Sequence, residues 1–341
     1  MNLSWYRHET SGMFGYSIFR EIEIMKDSLM GILNCKECRT PLEATIRARE
    51  GERIKEGELI CKICNAKYNI TNYIPRIAPN DAYLGSFSFE WNRFYDVQMD
   101  TYNRNQESEL TFRRKTGWRE DDLKGKLVLD AGVGAGRFAE VASRWGAEVV
   151  GVDLSFAVEA AQKNIGDRDN VNIVQGDIFH LPFREKSFDH IYSIGVLHHT
   201  PNTRAAFKAL VPFLKNGGEL AVYIYVWGQY HYFSDLWRKI TTRLPARVVY
   251  YFSAIAVPLY YLHKIPLIGK AVHFLLPTAH WPDWRWNWLD TFDWYTPKYQ
   301  WKHSWPEVFR WFKEEGFQEI ELFEEEEGNP MGGICMRGRK K

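Results

Sequence analysis

The chain has 341 residues, of which 45% are hydrophobic and 26% are charged, and its formal net charge is +1. A chain of this size and composition can bury one large core or two moderate cores. The near-zero net charge excludes an overall electrostatic attraction to nucleic acid, so we do not expect nucleic acid as a partner.

The first thirty residues predict a lead-in arm rather than a signal peptide. They mix polar and aromatic side chains and include Glu21 and Glu23, whereas a signal peptide has a charged start and then an apolar run. The longest uncharged apolar run, Val248 to Leu262, is shorter than a bilayer span and contains Pro258. These features predict a cytoplasmic protein, with peripheral membrane association left open.

Two Cys-x-x-Cys pairs follow the arm, with 22 residues between them. In a chain without a secretory signal this spacing indicates a metal site before it indicates disulfides. Two such knuckles offer four thiolates to a tetrahedral Zn²⁺. We therefore predict a zinc ribbon over residues 31–78 with one structural zinc ion, held by Cys35, Cys38, Cys61 and Cys64.

Aromatic, amphipathic helices are predicted between the ribbon and the next strand. One covers the segment from Phe87 to Asp96, and another covers Glu107 to Gly117. Two interpretations stay open for Phe89, Trp91 and Tyr95: they either cap a ligand cleft or simply pack on a sheet.

A glycine-rich turn is the most informative feature of the chain. The segment Val128 to Arg137 predicts a buried strand that ends in Asp130, then a turn with glycines at positions 132, 134 and 136, and then a helix. The glycines allow positive φ and the close approach of a ligand. The free N–H groups of the helix favour negative charge at the turn.

Three further strands complete half of a parallel sheet. They are predicted over Ala147–Asp153, Val171–Asp177 and Phe188–Ile194, and the last runs into His198 and His199. Because parallel strands present their carboxyl ends at one edge, the acids that end the first three strands are expected to line one crevice.

These motifs resemble the class I S-adenosylmethionine-dependent methyltransferases, in particular the small-molecule branch. That branch has the pattern D-x-G-x-G-x-G, an acid on the second strand, and a G-D-x-x-x-L-P-F segment, here Gly176 to Phe183. An NAD-dependent dehydrogenase also uses a glycine turn and a ribose-binding acid, but it has no obvious counterpart of this last segment. The resemblance covers roughly Lys124 to Gly228 and the C-terminal strands, and it implies a Rossmann-like, seven-stranded α/β sheet.

The resemblance also implies where the cofactor binds. Asp153 would hold the ribose hydroxyls, Asp177 and Ile178 would meet the adenine, and the glycine turn would lie beside the methionine part. The residues that the resemblance assigns to S-adenosylmethionine are Asp130, Ala131, Gly132, Gly134, Gly136, Asp153, Leu154, Asp177, Ile178 and Ser193.

The ribbon carries a resemblance of its own. The segment from Glu58 to Pro75 resembles the zinc-ribbon half of small methyltransferase-activator proteins. In the cofactor family, aromatic helices before the first strand commonly cap the cleft. The resemblance therefore implies a ribbon joined to a methyltransferase domain over residues 81–341.

After the fourth strand the predicted order is helix, strand, insertion, helix and two strands. The predicted bounds are Thr203–Leu214, Glu219–Val226, 228–304, Trp305–Gly316, Phe317–Phe323 and Gly332–Arg337. The insertion has the size of a substrate lid, and we expect it to be mostly helical.

The insertion is basic and aromatic. It carries 9 Lys/Arg against 4 Asp/Glu, and eight of the 14 tryptophans fall between Trp281 and Trp311. Such rings suit a sugar, an aromatic ring or a membrane interface, or they form a small core that stabilises the lid. Likewise, the apolar run from residue 248 to 262 either packs as a helical hairpin on the domain, which we favour, or faces lipid.

Three functional hypotheses remain from the sequence. The first is methyl transfer to a small-molecule, glycan or lipid-linked acceptor, the second is methylation of RNA or protein with the ribbon as recognition module, and the third is a non-catalytic scaffold. Neutral charge and an aromatic insertion favour the first. An oxygen acceptor needs a base, for which His198, His199 and His303 are the candidates, and Asp293 and Tyr295 of the insertion are alternatives that either act as the base or only bind hydroxyls. The acceptor and the oligomeric state are not predicted.

Overall fold

A computed structural model describes residues 25–51, 53–78, 85–227, 232–323 and 333–341. The N-terminal part is one helix followed by an antiparallel four-stranded sheet in chain order. These elements are α1 (Met25–Ile32), β1 (Glu43–Glu50), β2 (Arg53–Ile60), β3 (Lys67–Thr71) and β4 (Ile74–Pro75).

The predicted lead-in arm lies mostly outside the described residues. Its last residues belong to α1, which crosses the predicted boundary at residue 31. Leu29, Ile32 and Leu33 are all buried. Because residues three and four apart share one face of a helix, α1 packs into the core as part of the N-terminal unit, and the boundary at 31 is corrected.

Helices connect this sheet to the next and surround that second sheet. They are α2 (Gly85–Arg93), α3 (Asp100–Asn103), α4 (Glu107–Thr116), α5 (Glu120–Leu123), α6 (Arg137–Arg144), α7 (Ala157–Ile165) and α8 (Thr203–Leu210). The insertion contains α9 (Tyr232–Thr241), α10 (Ala246–Ser253), α11 (Ala256–His263), α12 (Ile268–Leu275) and α13 (Trp284–Tyr295), and α14 (Trp305–Glu314) follows it. The insertion is therefore helical where it is described, as expected.

The main sheet has the seven strands that the sequence predicts. They are β5 (Leu127–Ala131), β6 (Glu148–Asp153), β7 (Val171–Gln175), β8 (Phe188–Ile194), β9 (Leu214–Ile224), β10 (Phe317–Phe323) and β11 (Ile334–Lys340). Their order is β10-β11-β9-β8-β5-β6-β7, with β5 to β9 parallel and the last hairpin antiparallel. The order reverses between β5 and β8, which is where α/β sheets open a crevice.

Two predicted boundaries around β9 are corrected. The helix that begins at Thr203 ends at Leu210, and a short 3₁₀ turn with Pro212 follows, because proline cannot continue a helix. Strand β9 then begins at Leu214, ahead of Gly217 and Gly218. The pairing with β8 shifts register across these glycines, so they form an irregularity inside the strand rather than a stop before it.

Smaller corrections concern two other strands. Strand β7 ends at Gln175, so Asp177 lies in the following turn, where its side chain accepts from the N–H of Phe179. Strand β11 extends to Lys340, three residues beyond the predicted end, and residue 332 lies outside the described part.

The N-terminal sheet and the main sheet share one hydrophobic core. Leu33, Leu59 and Ile70 of the N-terminal part pack in the same cluster as Leu181 and Phe183, which lie between β7 and β8. Backbone bridges also join residue 33 to 183 and Arg76 to Gln175. The ribbon is therefore attached to the sheet as a packed layer rather than by a linker alone.

Candidate active site

A cleft of about 980 Å³ opens at the carboxyl edge of the main sheet. Its floor is the turn after β5 together with the ends of β6, β7 and β8. Helices α2 and α4 form one wall, and α13 with the residues before it forms another. The insertion therefore covers the edge where the sequence predicts the crevice.

The glycine turn forms part of the floor. Gly132 and Gly134 line the cleft and have φ values of +101° and +52°. A Cβ on Gly132 would lie 2.4 Å from a methyl carbon of Val196. Gly136 has a different place, since its Cβ would meet Ile165 at 2.8 Å and it caps the start of α6. Gly132 therefore leaves room for the side chain of Val196 on the floor of the cleft, and Gly136 leaves room for helix packing.

Asp153 lies at the end of β6 and lines the cleft with Leu154. Its carboxylate accepts from the N–H of Gly134 at 3.1 Å and from the N–H and hydroxyl of Ser155 at 2.8 and 2.7 Å. Burial raises its pKa above the ordinary value of 3.8, although these donors oppose the shift. The bonds orient the carboxylate beside the turn, where it can accept hydroxyl groups from a ligand.

Asp177 and Ile178 line the same cleft from the turn after β7. The Asp177 carboxylate accepts from the N–H of Phe179 at 2.9 Å, and its other oxygen lies 3.0 Å from Nδ1 of His180. The structure thus brings together the acid after β6 and the acid after β7, which are 24 residues apart in the chain.

Four residues of the predicted cofactor set lie behind the cleft rather than in its lining: Asp130, Ala131, Gly136 and Ser193. The Asp130 carboxylate accepts from the hydroxyl of Tyr192 at 2.9 Å, and burial raises its pKa to about 8. The hydroxyl of Ser193 donates to the carbonyl of Ala131 at 2.7 Å. Because these contacts join β5 to β8, the residues support the turn from within the sheet.

The three candidate catalytic histidines occupy different environments. His199 lines the cleft, whereas His198 and His303 do not. The ring of His198 is fully buried and stacks on Tyr225 at 3.9 Å. Nδ1 of His303 lies 3.0 Å from the carboxylate of Glu307. Of the three candidates, His199 is therefore the one that lines the cleft.

His199 has a defined tautomer. Its Nδ1 lies 2.8 Å from the carbonyl oxygen of Tyr299, which can only accept, so Nδ1 carries the proton. Nε2 is buried and has no hydrogen-bond partner among the described residues. Burial lowers the pKa of the ring to about 4. At neutral pH, Nε2 is therefore an unprotonated acceptor on the wall of the cleft.

A group of three carboxyls lines the cleft, and only Asp293 among them was a candidate from the sequence. Glu90 of α2 and Asp290 and Asp293 of α13 all line the cleft. Glu90 is fully buried, and neither of its oxygens has a partner in the described part of the chain. Burial and the two aspartates raise its pKa well above the ordinary value, and burial raises the pKa of Asp293 to about 7. An acid between the aromatics Phe89 and Trp91 was the signal available in the sequence.

The aromatic segment of the insertion contributes both to a small buried core and to the lining of the cleft. Trp286, Leu289 and Phe292 are buried in a cluster with Phe94 of the segment before β5 and Tyr250 of α10. Other rings of the same segment line the cleft, namely Trp281 and Trp294. Trp91 of α2 also lines it and lies 3.4 Å from the position of a Cβ on residue 134. The insertion is thus both a packed lid and an aromatic wall.

The four cysteines of the ribbon converge as predicted. Their sulfur atoms all lie within 4.8 Å of one another. Sγ of Cys35 is 3.6 Å from Sγ of Cys64, and Sγ of Cys61 is 3.4 Å from the hydroxyl of Thr40. A set of four thiol donors at this spacing fits a tetrahedral zinc ion.

A second group of possible ligands lies in the insertion. Ring nitrogens of His263, His273 and His280 also lie within 4.8 Å of one another. The rings of His263 and His280, however, are stacked at 4.0 Å with an angle of 2° between their planes. Because the lone pairs of imidazole lie in the ring plane, two stacked parallel rings do not point at one ion, and we assign no metal to them.

Comparison with known families agrees with this arrangement. Residues 129–222 match the family model described as a methyltransferase domain, and residues 26–72 match the one described as Trm112p-like protein. The chain carries a methyltransferase domain with a Trm112-like segment before it. The resemblance inferred from the motifs is therefore confirmed for both parts.

The relatives of the methyltransferase domain include enzymes with different acceptors. The chain is 33% identical over 122 residues to the demethylmenaquinone methyltransferase of Thermobifida fusca, which covers 33% of the chain and 52% of that protein. It is 28% identical over 184 residues to a sterol 24-C-methyltransferase of Schizosaccharomyces pombe, which covers 52% of the chain and 47% of that protein. The chain spans about half the length of these relatives.

A solved complex of the Haloferax volcanii Trm112 methyltransferase activator with a methyltransferase also matches, at a TM-score of 0.44 and 13% identity. That match covers 74% of this chain and 96% of the other. Among the described residues, no helix has both the length and the apolar character needed to cross a membrane.

Proposed function

We propose that the chain is an S-adenosylmethionine-dependent methyltransferase that acts on a small, largely apolar acceptor, with lipid-linked molecules as the favoured class. The observation that carries this proposal is the meeting of the glycine turn, Asp153 and Asp177 in one cleft beneath an aromatic wall. A methyltransferase domain match over the same strands supports it.

The cleft fits the cofactor at each of its parts. Asp153 presents a fixed carboxylate for two ribose hydroxyls, with Leu154 beside it. Asp177 and Ile178 are proposed to hold the adenine. The amino-acid part is proposed to lie beside the turn at Gly132 and Gly134, which line the cleft. When bound, S-adenosylmethionine supplies a methyl group carried on a cationic sulfur.

On the acceptor side, we propose His199 as the group that receives a proton. His199 lines the cleft, its Nε2 is unprotonated and has no hydrogen-bond partner in the described part of the chain, and its Nδ1–H donates to the carbonyl of Tyr299. A hydroxyl acceptor would donate to Nε2 and lose its proton there as the methyl group is transferred. Glu90 is the second group within the cleft that is placed to bind an acceptor, since its carboxyl lacks a protein partner in the described part.

The proposed acceptor class rests on the walls of the cleft and on the relatives. Trp91, Trp281 and Trp294 offer flat apolar surfaces. The names of the two relatives specify a demethylmenaquinone and a sterol. Both are ring compounds that carry large apolar groups, which such surfaces would bind. A glycan acceptor would also stack on these rings, and it forms a separate arm of the test below.

For the ribbon, we propose a structural zinc ion held by Cys35, Cys38, Cys61 and Cys64. The convergence of four thiols supports this assignment. A ribbon of this size has a small core of its own, so a metal ion would supply much of its stability. In this proposal the ribbon takes no part in the reaction.

The test is a methyl-transfer assay with isotope-labelled S-adenosylmethionine and four separate acceptor pools: total lipid, polar small molecules, glycans and total RNA. We expect label in the lipid pool. Label confined to RNA would overturn the proposed acceptor class and favour recognition by the ribbon. Binding of the cofactor without transfer to any pool would favour the scaffold hypothesis.

Within the active pool, His199→Gln is expected to lower kcat by about 10²–10⁴ with cofactor affinity unchanged. His303→Gln is the matched control, because His303 does not line the cleft, and it should retain activity. Equal loss in both variants would remove His199 from the proposed role.

A further inference from the structure

One surface of the insertion is apolar and exposed. It is formed by side chains of α10, α11, α12 and the turns between them, and we call it the outer face. Tyr251 is 73% exposed, Phe252 67%, Tyr261 68% and Leu267 80%. Its members are Val248, Tyr251, Phe252, Ile255, Tyr261, Leu262, Ile265, Leu267, Ile268, Phe274 and Leu275. A soluble monomer rarely leaves so many large apolar side chains together in water.

The same helices are held to the domain by their other side. Val249, Tyr250 and Ser253 of α10 and Ala256 of α11 are buried. Both helices contact α13, and α12 packs on α11. The apolar run from residue 248 to 262 thus packs on the domain by one side, as favoured from the sequence, while its other side stays uncovered.

Charge on this part of the chain has one sign. Residues 236–282 contain six Lys or Arg residues and no Asp or Glu. Lys264 lies 4.2 Å from the ring of Tyr260, next to the outer face. The histidines packed between these helices, His263, His273 and His280, have pKa values lowered by burial and are neutral near pH 7. An apolar face on helices that also carry the exposed cations Arg247, Lys264 and Lys270 is complementary to an anionic lipid surface.

The outer face is continuous with the cleft. His273 of α12 and the residues from Pro277 to Trp281 line the cleft, whereas the neighbours Phe274 and Leu275 are more than half exposed. A surface that binds the outer face would therefore lie beside the mouth of the cleft.

We propose that the outer face docks on the surface of an anionic bilayer, so that the acceptor enters the cleft from the lipid phase. This rests on the proposed function for the meaning of the cleft, but the docking itself does not. Each of the three helices has eight residues, about 12 Å of helix. They are too short to span the hydrocarbon core and long enough to lie in its interface.

A second copy of the chain is the alternative partner that could bury the outer face. A two-fold contact would place the same face against itself and would bring the exposed cations Arg247, Lys264 and Lys270 of one copy toward those of the other. Like charges at this density oppose such a contact, whereas anionic lipid headgroups neutralise them. The charge pattern thus favours the bilayer.

The test is co-sedimentation of the full chain with vesicles of phosphatidylcholine alone or of phosphatidylcholine mixed with phosphatidylglycerol. We expect binding to the mixed vesicles, weakened by added salt. The double variant Phe252→Glu/Leu267→Glu should reduce the partition coefficient about tenfold or more. Lys264→Gln should reduce it about fivefold on the anionic vesicles alone. Leu322→Glu is the matched control, since Leu322 is 50% exposed on β10, and it should bind as the parent does.

Two further measurements separate the possible failures. Cofactor affinity, measured by calorimetry, should be the same in the parent, the double variant and the control, which shows that the fold and the proposed cofactor site are intact. Sedimentation velocity should show a monomer for both variants. If the parent binds to neither type of vesicle, or if the double variant binds as well as the parent, the docking proposal is overturned. A parent dimer that the double variant dissociates, without vesicle binding, would assign the face to a second copy.

Discussion

The ribbon and the insertion are two additions to one sheet, and they are stabilised in opposite ways. In the ribbon, β1 is largely exposed and polar, and order comes from converging thiols and from a few apolar residues that join the core of the main sheet. In the insertion, aromatic side chains form a separate cluster, and many further apolar side chains stay exposed. An addition that only needs to be stable buries its apolar residues, whereas surplus exposed ones indicate a binding surface.

The largest effect is expected when the thiol cluster of the ribbon is broken. Cys61→Ser should remove the metal and lower the free energy of unfolding on the order of 10 kcal/mol. The ribbon shares its core with the main sheet, so we expect the loss to reach the whole chain rather than residues 31–78 alone. Elemental analysis for zinc and thermal unfolding measure the two effects.

Cys335→Ser is the control for that variant, because Cys335 lies on β11 and outside the thiol cluster. It should keep its zinc. A Cys61→Ser protein with full zinc content and an unchanged melting temperature would contradict the assignment of the ribbon as a metal-stabilised unit.

Two phenylalanines of the insertion test the division between its packed and exposed sides. Phe292→Ala should lower the free energy of unfolding by about 3–5 kcal/mol, because Phe292 is fully buried in the aromatic cluster. Phe252→Ala should change it by less than about 0.5 kcal/mol, since Phe252 is 67% exposed. Denaturant titration compares them. Similar losses would show that the outer face belongs to the core and would weaken the docking proposal.

Cofactor binding at the carboxyl edge of the main sheet should be weakened by substitutions there, whether or not the ribbon and the insertion are intact. Asp153→Ala should weaken S-adenosylmethionine binding by about 1–3 kcal/mol, as expected for lost hydrogen bonds to a carboxylate. Calorimetry measures it. Asp189→Ala is the control, because Asp189 accepts from the N–H of Leu127 and from Lys215 outside the cleft lining. Unchanged affinity in Asp153→Ala would count against the proposed ribose contact.

The smallest effect concerns pH and the acidic side of the insertion. Burial, with Asp290 nearby, raises the pKa of Asp293 to about 7 from 3.8. A raised folded pKa means that the folded state holds its proton more strongly than the unfolded state, so stability falls as pH rises from about 4 to about 7. Asp293→Asn should therefore be more stable than the parent at pH 8, on the order of 2 kcal/mol.

That difference should shrink toward pH 4, because pH 4 is close to the unfolded pKa of 3.8, below which the carboxyl is protonated in both states. Chemical unfolding at pH 4 and pH 8 tests it. Asp283→Asn serves as the comparison, because Asp283 caps α13 through the N–H groups of Arg285 and Trp286. Asparagine caps a helix about as well as aspartate, so this variant should change stability little. If the free energy of unfolding differs between Asp293→Asn and the parent by the same amount at both pH values, the pKa of Asp293 is not raised by folding, and its carboxyl is in contact with water.

Much of the cofactor half could be predicted because its sequence pattern is local. The run of buried residues in β5, the glycines after it and Asp153 at the end of β6 each report a backbone state or a strand end within a few residues. The start of β9 was predicted too late, because Gly217 and Gly218 predict a stop wherever they occur. Gly217 and Gly218 lie inside a strand only because β9 pairs with β8 on both sides of them, with a shift of register between.

The catalytic candidates were less accessible to prediction for a related reason. His198 and His199 are neighbours in the chain, yet the ring of His198 is buried against Tyr225, whereas His199 lines the cleft. Glu90 became a candidate only through α13, which brings Asp290 and Asp293 to the same cleft from about 200 residues away. No local pattern reports burial by a distant helix.

The sequence by itself determined the strand and helix types of the main sheet, the four thiol ligands and the cofactor motifs, because propensity, glycine conformation and ligand chemistry act over a few residues. Only the tertiary structure decided that the ribbon shares a core with the sheet, that Asp130 and Ser193 support the turn from behind, and that one side of the insertion stays bare. Those outcomes depend on which surfaces meet, and surfaces far apart in the chain meet only once the whole chain has packed.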